Sequence, residues 1–346
     1  MNDWPYPTLL ADVGGTQVRF AVAEAAHAAP SLVRVLRTAD HSSLSGAARA
    51  YLTQVGRDTR ACAAPRPISA ALAVATPVQA ARLGPVRLTN TDFVIDDADL
   101  ILSLSLAALW IVNDFEALAW ALPTLAARDL ETIGPTRPSL AATMAVIGPG
   151  TGLGCAGLLR DAAGWHAIPG EGGHVTLSGR TRFEREVLAA AADQMDHVSA
   201  EKLLSGIGMP LLYRAVATVR ADPAASQPLP APQDITARAV AGTDALSREV
   251  VDTFCALLGG YAGNVALTFG ATGGLLIGGG ITTHIAGLLA ASPFRNRFED
   301  KGRFGGYLST IGTAHILRSQ PALDGLVYAL GTALATLPVQ WTGSGP

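Results

Sequence analysis

Short apolar runs broken by turn residues set the pattern of the first third of the chain. Thr8 to Ala11 is one such run. Past Asp12 and Val13 it meets Gly14-Gly15-Thr16, after which polar Gln17 and Arg19 alternate with apolar Val18 and Phe20. Alternation on the far side of a glycine turn predicts a β-hairpin. Val33 to Arg37 predicts a further strand, and Ile68 to Val74 a buried one that stops at Ala75-Thr76-Pro77. Val86 to Phe93, VRLTNTDF, alternates enough for another strand and a loop. Helical spacing runs over Ser45 to Val55, Leu100 to Leu109 and Phe115 to Leu122, the last stopped by Pro123. Between the last two, Trp110-Ile111-Val112 predicts a short buried strand that delivers Asn113-Asp114 at its carboxyl end. Strands alternating with helices predict an α/β architecture.

The theme then recurs. Arg128 to Pro138 carries turn residues and charges and suits a connection after a domain boundary. Met144 to Ile147 predicts a strand, and Gly148-Pro149-Gly150-Thr151-Gly152-Leu153-Gly154 follows it: apolar strand, glycine turn, threonine, apolar segment, as in the opening hairpin. Two such units imply two related lobes, residues 1–123 and 124–317. The apolar, helical tail from Leu323 to Thr336 is expected to pack back, so that 318–346 completes the first lobe. Within the second, the pattern predicts helices at Arg182 to Ala192 and His197 to Gly208, the latter capped by Ser199. Ala221 to Gln233 is a Pro/Ala/Ser-rich surface loop, a helix begins at Thr236, and Leu246 to Leu267 is a long helix. Leu275-Leu276-Ile277 is a buried strand ending in Gly278-Gly279-Gly280, and FEDKGRF, Phe298 to Phe304, is a charged patch.

Composition narrows the class. A chain of 346 residues exceeds one compact core. With 49% hydrophobic and 15% charged residues and a net charge of −3, it is neither disordered nor a basic nucleic-acid binder. Cys62, Cys155 and Cys255 are far apart and form no CxxC or Cys/His cluster, which fits a reduced, cytoplasmic setting without zinc or disulfides. No signal-peptide pattern opens the sequence. Thr253 to Phe294 lacks any Asp, Glu, Lys or Arg, long enough to span a bilayer, but Asn264, His284 and its many glycines favour buried helix, turn, strand and turn over a membrane span.

The two glycine turns carry the first chemistry. A turn without Cβ atoms lets backbone N–H groups converge on an anion, and the threonine hydroxyl adds a donor. Asp12 beside such a turn suits a phosphate-bound Mg²⁺ held through water. Neither GxxxxGK[ST] nor GxGxxG occurs at this turn. The ordered set DVGGT with Arg19, LTNTDF, NDF at 113–115, GPGTGLG, PGEGGHV, HVSAEKLLSG, IGGGI and FEDKGRF resembles the bacterial glucokinase family of ATP-dependent sugar kinases, the branch distinct from the ROK proteins. These motifs spread from residue 12 to residue 304.

The resemblance implies a two-lobed, actin-like (ribonuclease-H-like) α/β fold with a central cleft, and phosphorylation of the 6-hydroxyl of glucose by ATP with Mg²⁺. It implies Asp114 as the general base, since a sugar hydroxyl must lose its proton as the phosphoryl group arrives. Asn113, Glu171, His174 and Glu201 are implied sugar contacts, with Asn90 of LTNTDF as a further one. Gly14, Gly15 and Thr16, with Gly150, Thr151 and Gly152, would hold the ATP phosphates, and Gly278, Gly279 and Gly280 would let the chain pass close to the adenosine. On the residues alone, Asn113-Asp114 also suits a helix N-cap, Glu171 and His174 a surface loop, and Glu201 a solvated helix face. The family often forms homodimers, and the Leu246 to Leu267 helix suits either an interface or the core. Two positions depart from the family pattern: Gln17 stands where Asn is usual, and Ser205-Gly206-Ile207-Gly208 where Ser-Gly-Pro-Gly is usual. Rival readings are the same chemistry with polyphosphate, ADP or another hexose, and a non-catalytic sugar sensor. The sensor is disfavoured by the seven residues before Thr8, too few for a DNA-binding helix pair.

Overall fold

A computed structural model describes residues 4–58, 66–76, 86–87, 93–334 and 337–341. In chain order the first part holds β1 (Thr8–Val13), β2 (Gln17–Ala23), β3 (Ser31–Arg37), α1 (Leu44–Asp58), β4 (Ser69–Val74), β5 (Val86–Arg87), β6 (Val94–Ile95), α2 (Asp97–Leu104), β7 (Ala108–Asn113) and α3 (Asp114–Ala121). The middle holds β8 (Leu130–Ile133), β9 (Met144–Pro149), β10 (Leu153–Arg160), β11 (Trp165–Gly170), α4 (Arg182–Ala192), α5 (Ala200–Leu203), α6 (Met209–Val219), α7 (Pro232–Ala241) and α8 (Ala245–Phe269). Then come β12 (Gly274–Ile277), α9 (Gly280–His284), α10 (Ala286–Ala291), α11 (Phe294–Glu299), α12 (Gly305–Ser309), β13 (Thr313–Ile316), α13 (Pro321–Thr332) and β14 (Gln340–Trp341).

The chain divides into two compact units. The first comprises residues 1–124, 161–167 and 319–346, the second 125–160 and 168–318. Each is built on a six-stranded sheet, ordered β14-β7-β4-β1-β2-β3 in the first and β11-β10-β9-β12-β13-β8 in the second. The two sheets repeat one plan. The hairpin strands β1 and β2 pair antiparallel, β1 runs parallel to β4 and β4 to β7, and β14 closes the edge antiparallel. Likewise β9 and β10 pair antiparallel, β9 runs parallel to β12 and β12 to β13, and β8 closes the edge antiparallel. The recurring glycine turn is therefore the visible trace of a repeated sheet.

Central strands β1, β4 and β9 are buried almost throughout, which parallel strands covered on both faces require. In the first unit Leu9, Phe20, Tyr51, Leu72 and Leu100 share one core, and α13 lies against α3. The approach of these helices depends on Gly325, where a Cβ would come 1.8 Å from the Ala117 carbonyl oxygen. In the second unit α8 is the centre: Val250, Phe254, Leu258, Ala262 and Ala266 are all buried with residues of β9, β12, α6 and α11. It is long and apolar enough to cross a membrane, but 83% of its most apolar stretch is buried inside the protein, so its role is that of a core helix.

Several expectations shift, among them the helix expected over 197–208, which is the single turn Ala200–Leu203. The helix expected over 100–109 runs Asp97–Leu104 instead. Asp96 caps it by accepting from the Asp99 N–H, and Ser105 ends it in the left-handed region at φ 55°, without the glycine that usually marks such an end. Ala108 and Leu109 belong to β7. The connection at 128–138 contains the edge strand β8, paired with β13 from Leu130↔Ile316 to Ile133↔Thr313. The charged patch FEDKGRF, with Arg297 just before it, also acts as a brace. Arg297 pairs with the buried Glu184 at 2.8 Å and with Asp300 at 2.9 Å, and Lys301 Nζ donates to the Gly260 carbonyl at 2.8 Å and to Asn264 Oδ1 at 2.7 Å.

Candidate active site

In the first unit the hairpin turn 14–16 is closed by the Gly14 N–H donating to the Gln17 carbonyl at 3.0 Å. Thr38 grips it from one side. Its N–H donates to the Thr16 carbonyl at 3.1 Å, and its hydroxyl to the Gly15 carbonyl at 2.8 Å. A peptide's N–H points opposite to its C=O, so the Thr16 N–H faces away from Thr38, on the exposed rim. Asp12 lies directly across the hairpin from Arg19, whose Nη1 reaches its carboxylate at 3.2 Å. Burial raises the Asp12 pKa, and the Arg19 charge and hydrogen bond oppose the shift.

Strand β7 ends at Asn113 and α3 begins at Asp114. The helix cap is Asn113: its Oδ1 accepts from the N–H groups of Phe115 at 2.9 Å and Glu116 at 3.4 Å, and its Nδ2 donates to the Thr76 carbonyl at 3.2 Å. Both lone pairs of the amide oxygen are thereby used, leaving one N–H for a ligand. Asp114 is the first helical residue, half-buried, with Oδ1 accepting from the Phe115 N–H at 3.0 Å. A carboxylate here stands at the positive end of the helix dipole and at the carboxyl end of a parallel strand. Two residues on, burial pushes the Glu116 carboxyl up to about 7, with the Trp120 indole pulling the other way. Asn90 lies outside the described residues.

The second unit repeats the grip. Gly150 N–H donates to the Gly152 carbonyl at 2.9 Å, while the N–H groups of Gly206 and Ile207 take the carbonyls of Gly150 at 2.8 Å and Thr151 at 3.4 Å. A proline at 207 could not make the second bond, so the departure from Ser-Gly-Pro-Gly adds a tie to the turn. Gly150 has no positive φ, and a Cβ on it would meet nothing within 4 Å. Neither backbone strain nor protein packing accounts for a glycine there, and its face is open.

Glu171, His174 and Glu201 come together around this hairpin. Residues 171–174 lie flat on β10: a Cβ on Gly173 would come 2.1 Å from the Leu153 carbonyl oxygen. The loop is pinned to the start of α5 through Leu177 N–H to the Val198 carbonyl and Ala200 N–H to the Val175 carbonyl. Ser199 caps α5 by accepting from the Lys202 N–H at 3.3 Å. Glu201 then reaches two ways. Its Oε2 accepts from the Leu153 N–H at 2.9 Å, and its Oε1 stands 3.9 Å from His174 Nδ1. His174 Nε2 stands 3.8 Å from Glu171 Oε2. These two contacts are too long for hydrogen bonds, and the imidazole and Glu171 are more than half exposed. The three side chains present donors and acceptors outward, as a ring of hydroxyls would require.

Gly278 follows β12 and donates to the Ile147 carbonyl at 2.8 Å. Gly279 has φ 95°, and a Cβ on it would fall 2.4 Å from the Pro149 carbonyl oxygen, so only glycine fits. The residues after the run were not legible as partners of it. Thr282 Oγ1 donates to the carbonyls of Gly278 and Gly279 at 2.9 Å, Thr283 Oγ1 to that of Gly279 at 3.2 Å, and His284 Nδ1 lies 2.8 Å from the Gly280 carbonyl. Thr38 was missed in the same way. It lies 23 residues beyond Gly15, and only the fold brings it to the carbonyls it takes.

Among the described residues no group of three or more His, Cys, Asp or Glu is placed to hold a metal ion.

The sequence model of the glucokinase family matches residues 9–333. A glucokinase of Aromatoleum aromaticum is 43% identical over 331 residues, 95% of this chain and 96% of its own length. One of Chromobacterium violaceum is 42% identical over 95% of this chain and 91% of its own. A crystal structure of glucokinase from an Antarctic psychrotroph superposes with a TM-score of 0.81 at 32% identity, covering 94% of this chain and 99% of that one. At 16% identity and a TM-score of 0.62, a ROK family glucokinase of Streptomyces griseus solved with glucose and AMPPNP shares the actin-like fold. Matched across nearly its whole length, the chain belongs to the glucokinase family.

Proposed function

We propose that the protein transfers the γ-phosphoryl group of ATP to the 6-hydroxyl of glucose, with Asp114 as general base. The observation that carries this reading is the repeated hairpin grip. In both units a glycine turn has its carbonyls taken from one side, by Thr38 and by Gly206-Ile207, so that its outer rim offers N–H groups and a threonine hydroxyl. Such donors stabilise charge on a transferring phosphoryl group. The first unit also supplies the carboxylate at the head of α3, and the second the Glu171, His174 and Glu201 set for sugar hydroxyls. Asn113 contributes one N–H and otherwise holds α3 in place. Gly278 to Gly280 form the surface for the adenosine.

Mg²⁺ fits the residues present. Asp12 offers a carboxylate beside the first turn, its charge balanced by Arg19, and the ion would neutralise charge on the phosphates. The reading extends to a cytoplasmic enzyme whose lobes are 1–123 with 318–346 and 124–317. Whether it forms dimers is read directly by sedimentation.

The test is Asp114→Asn, assayed by coupled turnover of ATP with glucose, mannose, fructose, galactose and N-acetylglucosamine. Turnover is expected to fall by roughly 10²- to 10⁴-fold while glucose still raises the melting temperature. Near-normal turnover would remove Asp114 as base; a wild-type enzyme preferring another sugar or donor would change the substrate.

A further inference from the structure

Beneath the sugar loop lies a buried hydroxyl whose neighbour is a thiol. Tyr261 projects from α8 and is 3% exposed, and its Oη is sealed from solvent with no oxygen or nitrogen partner, only the weak Cys155 thiol beside it. A Cβ on Gly172 would stand 3.1 Å from that oxygen and 2.9 Å from Cys155 Sγ. The phenol and the thiol are thus the floor on which Gly172 rests, between Glu171 on one side and Gly173-His174 on the other. Cys155 is a poor partner. Burial pushes its thiol up to about 11, the Tyr261 hydroxyl opposing and the Glu171 charge adding to the shift, so it stays neutral, a weak donor and a weak acceptor.

An unpaired buried hydroxyl costs stability, and a phenylalanine of the same shape would avoid that cost. The neighbouring loop contacts are fully made: Gly173 is in close contact with β10, and His174 and Val175 N–H groups bond the Glu171 and Gly172 carbonyls. Glu171 alone presents a charged acceptor near the thiol while its side chain remains more than half exposed.

We propose that Tyr261 is a positioning residue for the sugar loop: its hydroxyl gains an acceptor on residues 170–172 when glucose seats the loop, and the bond formed there favours the sugar-bound state. The inference rests on the reading of Glu171 and His174 as sugar contacts. It makes the free protein the strained state and the loaded loop the relaxed one. Cys155 sets the size of the effect by failing to satisfy the phenol beforehand.

The experiment compares wild type, Tyr261→Phe, Cys155→Ser and Glu171→Gln by melting temperature with and without glucose and by steady-state kinetics. Tyr261→Phe is expected to melt no lower than wild type without sugar. Its KM for glucose rises about fivefold, the worth of one ordinary hydrogen bond, with kcat and the KM for ATP within twofold of wild type. Cys155→Ser gives the phenol an oxygen partner in the free protein, so it melts higher without sugar and also shows a raised KM for glucose. A wild-type KM in Tyr261→Phe overturns the inference alone, as does a loss of kcat and of sugar-free melting temperature together, which would mark a packing role. A wild-type KM in Glu171→Gln overturns the sugar-loop reading, and the inference with it.

Discussion

Removing Glu201 separates its two tasks. Its Oε2 accepts from the Leu153 N–H at 2.9 Å, and Leu153 is 4% exposed, so truncation to alanine leaves a buried donor unpaired. A hydrogen bond to a charged group contributes about 1.5–3 kcal/mol. The Glu201 side chain is 31% exposed, which places this bond at the lower end, about 1–2 kcal/mol. For a unit of this size each kcal/mol shifts Tm by about 2–4 °C, so Glu201→Ala should melt about 2–8 °C lower. Glutamine keeps an acceptor for Leu153 and gives up the charge, so Glu201→Gln should lose less than about 1 kcal/mol of stability. Its KM for glucose should still rise about tenfold, because a carboxylate accepts twice from sugar hydroxyls where an amide accepts once. Calorimetry and initial-rate kinetics on the same samples read the two effects separately. If Glu201→Ala melts within a degree of wild type, the brace is not there; if Glu201→Gln binds glucose normally, the sugar contact is not there.

Two further expectations concern pH. The folded state holds the Glu116 proton more tightly than the unfolded chain, with a pKa of about 7 against 4.5. Ionising this group therefore costs stability progressively from pH 4.5 to 7, reaching roughly 3 kcal/mol at most. Glu116→Gln should then be more stable than wild type at pH 8 and equal to it near pH 4.5; a gap independent of pH refutes this. Glu184 has the opposite sign. Burial raises it, but Arg297 and the N–H groups of Arg180 and Thr181 together hold it below its ordinary value. Its stabilisation is present above pH 4.5 and lost as pH falls through the depressed folded value. Glu184→Gln should cost on the order of 3 kcal/mol at pH 7, with a gap to wild type that closes only in acid; thermal melts from pH 7 down to pH 3.5 measure it.

How much of this was legible in the sequence follows from where each property is encoded. Period-two alternation after Gly-Gly-Thr, and the recurrence of strand, glycine turn and threonine at Gly-Thr-Gly, marked the two hairpins, because a buried strand and a tight turn are local demands. The repeat of those turns extended to a whole repeated sheet, since each hairpin must be completed by parallel strands to bury its inner edge. The α2 boundary was not legible, because Ser105 ends that helix in a conformation that serine adopts rarely. Edge strand β8 was hidden in a charged, turn-like stretch: only its Ile133 is fully buried.

At the site, residue types pointed to roles, and the fold fixed where each residue stands. Asn113-Asp114 suited both a helix cap and a base, and the structure gives the cap to Asn113 and leaves Asp114 at the first helical position. The same division of labour explains Glu201. On a four-residue helix its exposed spacing suggested a solvated face, yet α5 exists only because Ser199 caps it and the sugar loop bonds to its start. Helical periodicity has no purchase on a single turn. Glu201 is placed by a contact 48 residues away in sequence, to Leu153, and the grips on both glycine turns are also made by remote residues, Thr38 and Gly206-Ile207. A phosphate-facing rim is a property of which carbonyls are turned away from it. That depends on the partner strand or turn, so in the proposed reading the glycine motif opens the rim and its clamp turns the N–H groups toward an anion.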